Sequence, residues 1–500
     1  MNLNLDKFMK KAGNTALTFD DVTLVTQYAD FLPSETNLKT KFTRNVNLNI
    51  PFVSAAMDTV TESKMAIEMA RMGGIGVIHR GLDPVLQAKH VAKVKHYLNG
   101  LISDPVVFNE NQTVDEVLAI REKKAYKFMG FPIINNTGKL TGILTSSDVK
   151  FLDHTNIKIK SVMTTELISA PADASLNKAF DIMRKNKVGK LPLVSRGKLV
   201  GLYSYTDVKN IIEKNQPLIN RDKNHQLRVA AAVGTNDFLR MEKLVEEKVD
   251  VIVIDTAHGH TKGVISTVKW VKKNFPAVDV VAGNIASGPA AKDLLKAGAD
   301  AVKVGIGPGS ICTTRVITGV GIPQITAVYE VSKALAGVIP IISDGGIRHS
   351  GDVPKAIVAG ASSIMMGSAL AGTDESPGEK IIRHGRQYVV YRGMGSIGAM
   401  QSSASCRERY SQQDISDSDK LVPEGIEGLV PYAGHVAGVI QQFIGGLRSS
   451  MGYNGAKTID KLREKGIFKL ITASGIREAH PHDVRISKEA PNYKTTGVME

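Results

Sequence analysis

Short apolar runs rich in Val and Ile recur along the chain, most closing on a small or polar residue, at 51–57, 75–79, 228–234, 249–257, 278–284, 301–305, 340–346 and 363–370. Uninterrupted runs of this length read as strands buried on both faces, the habit of parallel sheets. Amphipathic stretches with helical spacing lie between them, such as 290–297 after the fifth run. Strand and helix in alternation predict right-handed βαβ units. Eight such runs predict an α/β protein built on a (β/α)8 TIM barrel. A doubly wound sheet satisfies the same periodicity, and the count of eight favours the barrel.

Two places break the rhythm. The stretch between 79 and 228 is long enough for a domain of its own. Within it FPII (131–134) and GKLTGILTSSDV (138–149) return as LPLV (191–194) and GKLVGLYSYTDV (197–208), an internal repeat of about 60 residues. Each copy predicts a strand, a Gly turn, a second strand and a Ser/Thr-x-x-Asp entry into a helix. The pair, about 101–213, resembles a tandem cystathionine-β-synthase (CBS) module. The expected organisation is therefore 1–95 as the first part of the barrel, 96–216 as an inserted tandem CBS (Bateman) domain and 217–500 as the rest of the barrel. That resemblance implies that Thr145, Ser147 and Asp148, with Ser204, Thr206 and Asp207, meet the ribose and phosphates of a regulatory purine nucleotide. Asp148 and Asp207 suit helix capping equally well.

The second irregular stretch, between 305 and 340, opens with GIGPGSICTTR at 305–315, directly after the sixth predicted strand. A barrel carries its chemistry at the C-terminal ends of its strands, and glycines let backbone approach a ligand closely. Cys312 is thus a candidate nucleophile, set against the ordinary fate of a free cysteine as a packed small hydrophobe. A dinucleotide fingerprint Gly-x-Gly-x-x-Gly needs glycine at 310, where Ser310 stands. His258-Gly-His260 and His480-Pro-His482-Asp483 match no catalytic metal spacing and read as hydrogen-bonding histidines.

Composition narrows the function classes. The 500 residues carry a net charge of +14, 43% hydrophobic and 22% charged residues, an ordinary globular balance that excludes disordered and collagen-like chains. Charges of both signs are interleaved, as in Arg121-Glu122-Lys123-Lys124. The excess therefore reads as diffuse attraction for anionic small molecules, and with aromatics at 5% a nucleic-acid surface is disfavoured. Two cysteines, Cys312 and Cys406, make no disulfide framework and fit a reducing cytoplasm. The opening MNLNLDKFMKKAGNT lacks a signal-peptide core, and the uncharged stretches 357–373 and 429–447 are broken by Gly, Ser, Pro, His or Gln, so no membrane span is expected.

With GIGPGSICTTR stand SAAMDTVTE (54–62), SDGGIR (343–348), MMGSALAGTDESPGE (365–379), YRGMGSIGAM (391–400) and the ending GIREAHPHDVRISKEAPNY (475–493). Together they closely resemble the inosine-5′-monophosphate (IMP) dehydrogenase family, bacterial type, over almost the whole chain. The resemblance implies NAD-dependent oxidation of IMP to xanthosine monophosphate (XMP) in guanine nucleotide biosynthesis. Cys312 would attack C2 of the purine. Hydride transfer would leave a covalent intermediate for water to hydrolyse. A mobile flap at about 380–430 would bring Arg409, the general base, and Tyr410 into the vacated nicotinamide site, with Thr314 orienting the water. Asp344 would hold the ribose hydroxyls. Ser310, Gly346, Gly367, Ser368 and Tyr391 would hold the phosphate, and Met57, Gly393, Met394, Gly395 and Glu424 the base; Met57 and Met394 also suit plain core packing. Asp255, Asn284 and Gly305 would meet NAD.

The resemblance further implies a potassium ion on main-chain carbonyls of Gly307, Gly309 and Cys312, completed by Glu478, Ala479 and His480 of a neighbouring subunit. That sharing implies a homotetramer, with an octamer left open. Cys406 has no role in the pattern. The rival reading is the related GMP reductase, an NADPH-dependent deamination of GMP; Arg409-Tyr410 and the length of the chain favour the dehydrogenase.

Overall fold

The structure is a computed structural model that describes residues 2–493 except 98–100, 103–104, 125, 127–128, 214–217 and 416. The eight apolar runs form eight strands: β1 Phe52–Ser54, β2 Ile75–Ile78, β3 Ala230–Val233, β4 Val251–Asp255, β5 Asp279–Ile285, β6 Ala301–Val304, β7 Ile341–Asp344 and β8 Ser363–Met366. Each pairs in parallel with its sequence neighbours, and β8 pairs with β1 to close the barrel. The expected (β/α)8 barrel is the fold found. Helices follow the strands as the alternation requires, among them Ser63–Arg71, Lys262–Asn274, Gly288–Ala297 and Val436–Tyr453.

The strands stop earlier than the apolar runs. Residues 55–57, 256–257 and 345–346 leave the sheet as loops, and 368–370 belong to the short helix Ser368–Ala371. The reason is local: these are the small and polar residues at the C-terminal mouth, where the backbone turns away to build loops. Alternation along the strands divides the barrel interior into layers. Val253, Ala301 and Ile342 point inward in an apolar layer with Val53, Val77 and Ala232. One step of two further on, Asp255, Lys303 and Asp344 point inward as well and form a polar layer. The opposite end is plugged by Phe42, Val46 and Leu48, held there by Thr43 and Asn45 donating to Asp279 at the start of β5. Each fully buried Val, Ile or Phe contributes ~1.5–3 kcal/mol, so the apolar layers carry the stability that the polar layer spends.

The chain divides into two compact units, Met1–Lys95, Leu218–Asn220 and Arg228–Glu500 as the first, and His96–Pro217 with Arg221–Leu227 as the second. The stretch Arg221–Leu227, expected in the barrel part, thus groups with the second unit, and the expected 216/217 boundary falls outside the described residues. The second unit contains two sheets. In one, Gly130–Ile134 pairs antiparallel with Leu140–Thr145, and the register shifts after Ile133; in the other, Lys190–Ser195 pairs with Lys198–Ser204, and it shifts after Leu193. Each half has its own core, around Phe131 and Leu144 in the first and around Phe180 and Leu191 in the second. Asp148 accepts hydrogen bonds from the amide and hydroxyl of Thr145 (2.6 and 2.7 Å), closing a capping box on helix Ser146–Lys150. No helix of the described residues is long and apolar enough to cross a membrane.

Candidate active site

The polar layer at the mouth centres on Lys303, which is 1% exposed. Its Nζ donates to Asp255 Oδ1 at 2.9 Å, to Asp344 Oδ2 at 2.7 Å, and to Asn284 Oδ1. Asn284 completes the network through its Nδ2, which donates to the Gly305 carbonyl (2.7 Å) and to Asp344 (2.9 Å). A bulge between Gly283 and Ile285 of β5 breaks the alternation at Asn284. An isolated ammonium in such a place costs several kcal/mol; two carboxylates and an amide oxygen offset that cost. Sequence reasoning passes over Lys303, although a lone lysine in the apolar run AVKVG (301–305), in phase with the inward alanine, was a signal to follow.

After β6 the glycine-rich loop presents Cys312, half-buried, with its Sγ 3.1 Å from the Thr314 hydroxyl. The loop is laced shut by Arg315, whose Nε donates to the Ile306 carbonyl (3.0 Å) and whose terminal nitrogen donates to that of Ile322 (2.7 Å). It is also paired with the segment 424–426: Thr313 N donates to the Glu424 carbonyl and Ile426 N to that of Ile311, both at 3.0 Å. The nucleophile therefore sits on a loop tied at both ends and along one edge.

The segment 380–431, residue 416 apart, packs on the barrel. Strands Lys380–Arg383, Arg386–Arg392 and Glu427–Pro431 form an antiparallel sheet, and Arg392 clamps it to Asp58 after β1 with two bonds, of 2.9 and 2.6 Å, to one carboxylate oxygen. Two short helices follow the second strand, Ile397–Ser402 and Ala404–Arg409. Cys406, 1% exposed, packs with Met394, Ala399, Met400 and Leu421, and burial pushes its thiol up to about 11. It is a core residue of this segment. The Tyr410 ring lies against Gly395, where a Cβ would come within 2.6 Å of the ring carbon bearing the hydroxyl; glycine alone permits that approach. Burial raises the Tyr410 phenol above its ordinary range. The Arg409 guanidinium pairs with Asp255, on the carboxylate oxygen that Lys303 does not use.

These groups surround a cleft of about 140 Å³. Cys312, Thr314, Arg409 and Tyr410 line it together with Ser310, Asp344, Gly346, Gly367, Ser368, Tyr391, Gly393, Met394, Glu424, Met57, Asp255, Asn284, Gly305, Gly307 and Gly309. One expectation falls elsewhere. Gly395 seats Tyr410 and does not itself line the cleft. Glu478, Ala479 and His480 of this chain lie at the exposed end of helix Ala473–Glu478, with His480 Nδ1 3.0 Å from the Tyr493 hydroxyl, outside the cleft. The Tyr391 hydroxyl is 3.7 Å from Met57 Sδ, and burial holds its phenol well above the usual range, so it remains a neutral donor. Met57 and Met394 also pack in the hydrophobic clusters, as their plain core reading expects. His260 pairs with Asp293 at 2.9 Å.

A thiol beside a hydroxyl, a carboxylate at the cleft wall, a glycine-rich loop and a guanidinium in the thiol's cleft suit covalent chemistry on a small polar ligand. The family profile described as "IMP dehydrogenase / GMP reductase domain" matches residues 16–482. The chain belongs to this family. It is 51% identical to the inosine-5′-monophosphate dehydrogenase of Aquifex aeolicus over 97% of this chain and 99% of that protein. With the same enzyme of Chlorobaculum parvum it shares 48% identity over 98% and 100%. Among solved structures it resembles a Trypanosoma brucei GMP reductase carrying a cysteine-to-alanine change, in complex with guanosine 5′-monophosphate, at 37% identity and a TM-score of 0.80, covering 95% of this chain and all of that one. That last match corrects one expectation: a reductase of similar span exists, so length does not separate the two activities.

Proposed function

We propose that this protein is an IMP dehydrogenase, oxidising IMP to XMP with NAD⁺ for guanine nucleotide synthesis. The observation that carries the reading is that Arg409 lines the same cleft as Cys312 and Thr314, because a group to activate water is needed in that cleft for hydrolysis and has no task in a reductive deamination. Identities of 48–51% to named dehydrogenases against 37% to the reductase point the same way.

The thiolate of Cys312 adds to C2 of the hypoxanthine ring, and the hydrogen on C2 leaves as hydride. NAD⁺, when bound, would supply the acceptor for that hydride. The purine then remains bonded to Cys312 through C2. Water adds to C2, Arg409 in its neutral form takes its proton, and the C–S bond breaks to release XMP and regenerate the thiolate. The net reaction is IMP, NAD⁺ and water to XMP, NADH and a proton. Thr314, beside Sγ, orients the water, and Tyr410 packs Arg409 in place. Asp344 accepts from the ribose hydroxyls; Ser310, Gly346, Gly367, Ser368 and Tyr391 hold the phosphate; Met57, Gly393, Met394 and Glu424 surround the base, with Gly395 behind Tyr410. Asp255, Asn284 and Gly305 would hold NAD⁺. Since Asp255 already pairs with Arg409, cofactor and flap take turns on one carboxylate.

The carbonyls of Gly307, Gly309 and Cys312 offer neutral main-chain oxygens that suit a singly charged, weakly hydrated cation such as potassium. Glu478, Ala479 and His480 of a neighbouring subunit would complete the set, which makes the working form a homotetramer. Residues 96–216 would be the CBS pair and take purine nucleotides, and the protein would work in the cytoplasm on small anionic substrates. Absorbance at the reduced-nicotinamide band tests the reading. Potassium-stimulated NADH formation from IMP, lost in Cys312→Ala, is expected; consumption of NADPH with GMP alone would transfer the protein to the reductase class.

A further inference from the structure

Glu408, the residue before Arg409, is fastened to the barrel. One of its carboxylate oxygens accepts hydrogen bonds from the backbone amide (3.1 Å) and hydroxyl (3.2 Å) of Thr235, just past β3. The other accepts from the guanidinium of Arg80, just past β2, at 3.4 Å. Arg80 is 1% exposed, and its second terminal nitrogen donates at 2.6 Å to the carbonyl of Ser405, in the same short helix as Glu408. Between the partners lies Gly234, where a Cβ would stand 2.1 Å from an Arg80 nitrogen and 2.5 Å from both Glu408 oxygens. The ion pair therefore occupies the space that a side chain at 234 would take. One more tie follows in sequence: Ala257 N donates to the Arg409 carbonyl at 3.1 Å.

None of Arg80, Thr235 and Glu408 is among the residues lining the cleft, and none is asked to touch substrate. We propose that Arg80 and Glu408, over Gly234 and completed by Thr235, are a latch that holds the flap in the position where Arg409 reaches Asp255. They are positioning residues for the water-attack half of the reaction, and the inference rests on the dehydrogenase reading. The physical drive is the cost of stranding a buried charge. Among the described residues Glu408 is the carboxylate paired with Arg80, and it belongs to the moving element. When the flap lifts to admit the nicotinamide, Arg80 loses that partner, and the helix end at Ser405 loses its donor. Closure restores both, so the buried arginine biases the flap toward the hydrolytic state without entering the chemistry.

The test compares Glu408→Gln, Arg80→Met, the double variant and Gly234→Ala in the full chain, by rapid mixing with IMP and NAD⁺. A weakened latch leaves the first-turnover NADH burst within about twofold of the parent, because hydride transfer occurs with the flap away. It lowers steady-state kcat by about tenfold, the scale of a lost charge-assisted hydrogen bond. The share of enzyme carrying purine on Cys312 rises, and KM for NAD⁺ falls, since Arg409 competes less for Asp255. Gly234→Ala, which keeps both charges and removes their room, behaves the same way, and the double variant is no slower than the slower single one. Glu408→Gln, at a half-buried flap position, keeps the test open if Arg80→Met fails to fold. Burst and steady rate falling by one common factor would overturn the latch, as would an unchanged kcat or additive losses in the double variant. A parent protein that forms no NADH from IMP overturns the dehydrogenase reading, and the latch falls with it.

Discussion

Lys303 ties together three strands that the reaction needs in fixed register: Asp255 on β4, Asn284 on β5 and Asp344 on β7. Lys303→Met takes the ammonium from buried Asp255 and half-buried Asp344, leaving Asp255 with Arg409 and Asp344 with Asn284, and a loss of ~1.5–3 kcal/mol is expected, read as a lower urea midpoint together with a rise in KM for both substrates. An unchanged midpoint would contradict the assignment. The two cysteines should also behave oppositely. Iodoacetamide near pH 8 is expected to label half-buried Cys312 and to spare buried Cys406. Because burial raises the Cys406 thiol from about 9 to about 11, its neutral form stabilises the fold fully below about pH 9. That contribution is lost as pH rises toward about 11. The stability gap between the parent and Cys406→Ala should therefore narrow between pH 8 and about pH 10.5. Cys312, Arg409 and Asp344 are legible in the sequence because whole motifs surround them. Lys303, Arg80 and Glu408 are not, because each takes its meaning from a partner distant in sequence: Arg80 and Glu408 are 328 positions apart.

At the level of elements, the strands are readable because burial on both faces writes continuous apolar runs, whereas their ends are obscured where site loops begin with small apolar residues. Ala55, Ala56 and Leu370 look like strand and serve as mouth and short helix. The loop carrying Cys312 was legible as a site, but its construction was not, since Arg315 binds main-chain carbonyls that no side-chain pattern reports. Arg315→Leu should unlace that loop at little cost to the barrel. The expected result is kcat/KM for IMP down by at least about tenfold with an unfolding midpoint close to the parent's. Equal losses of activity and midpoint would instead make Arg315 an ordinary structural residue.

For the whole molecule, the internal repeat announced the second unit, and its separate cores give each unit its own source of stability. Calorimetry is expected to show two unfolding transitions, of which IMP raises the barrel's and purine nucleotides the other. A single transition moved equally by both ligands would contradict that division. The likeness to a GMP reductase over 95% of this chain shows why overall architecture does not choose between the two family activities. The choice rests on what sits beside the thiol. The most direct measurement is mass spectrometry of the protein acid-quenched during turnover of IMP and NAD⁺. The account predicts a purine nucleotide adduct on the peptide containing Cys312, more abundant in Arg409→Ala and absent in Cys312→Ala. No adduct with IMP and NAD⁺, or an adduct on any other residue, would contradict it.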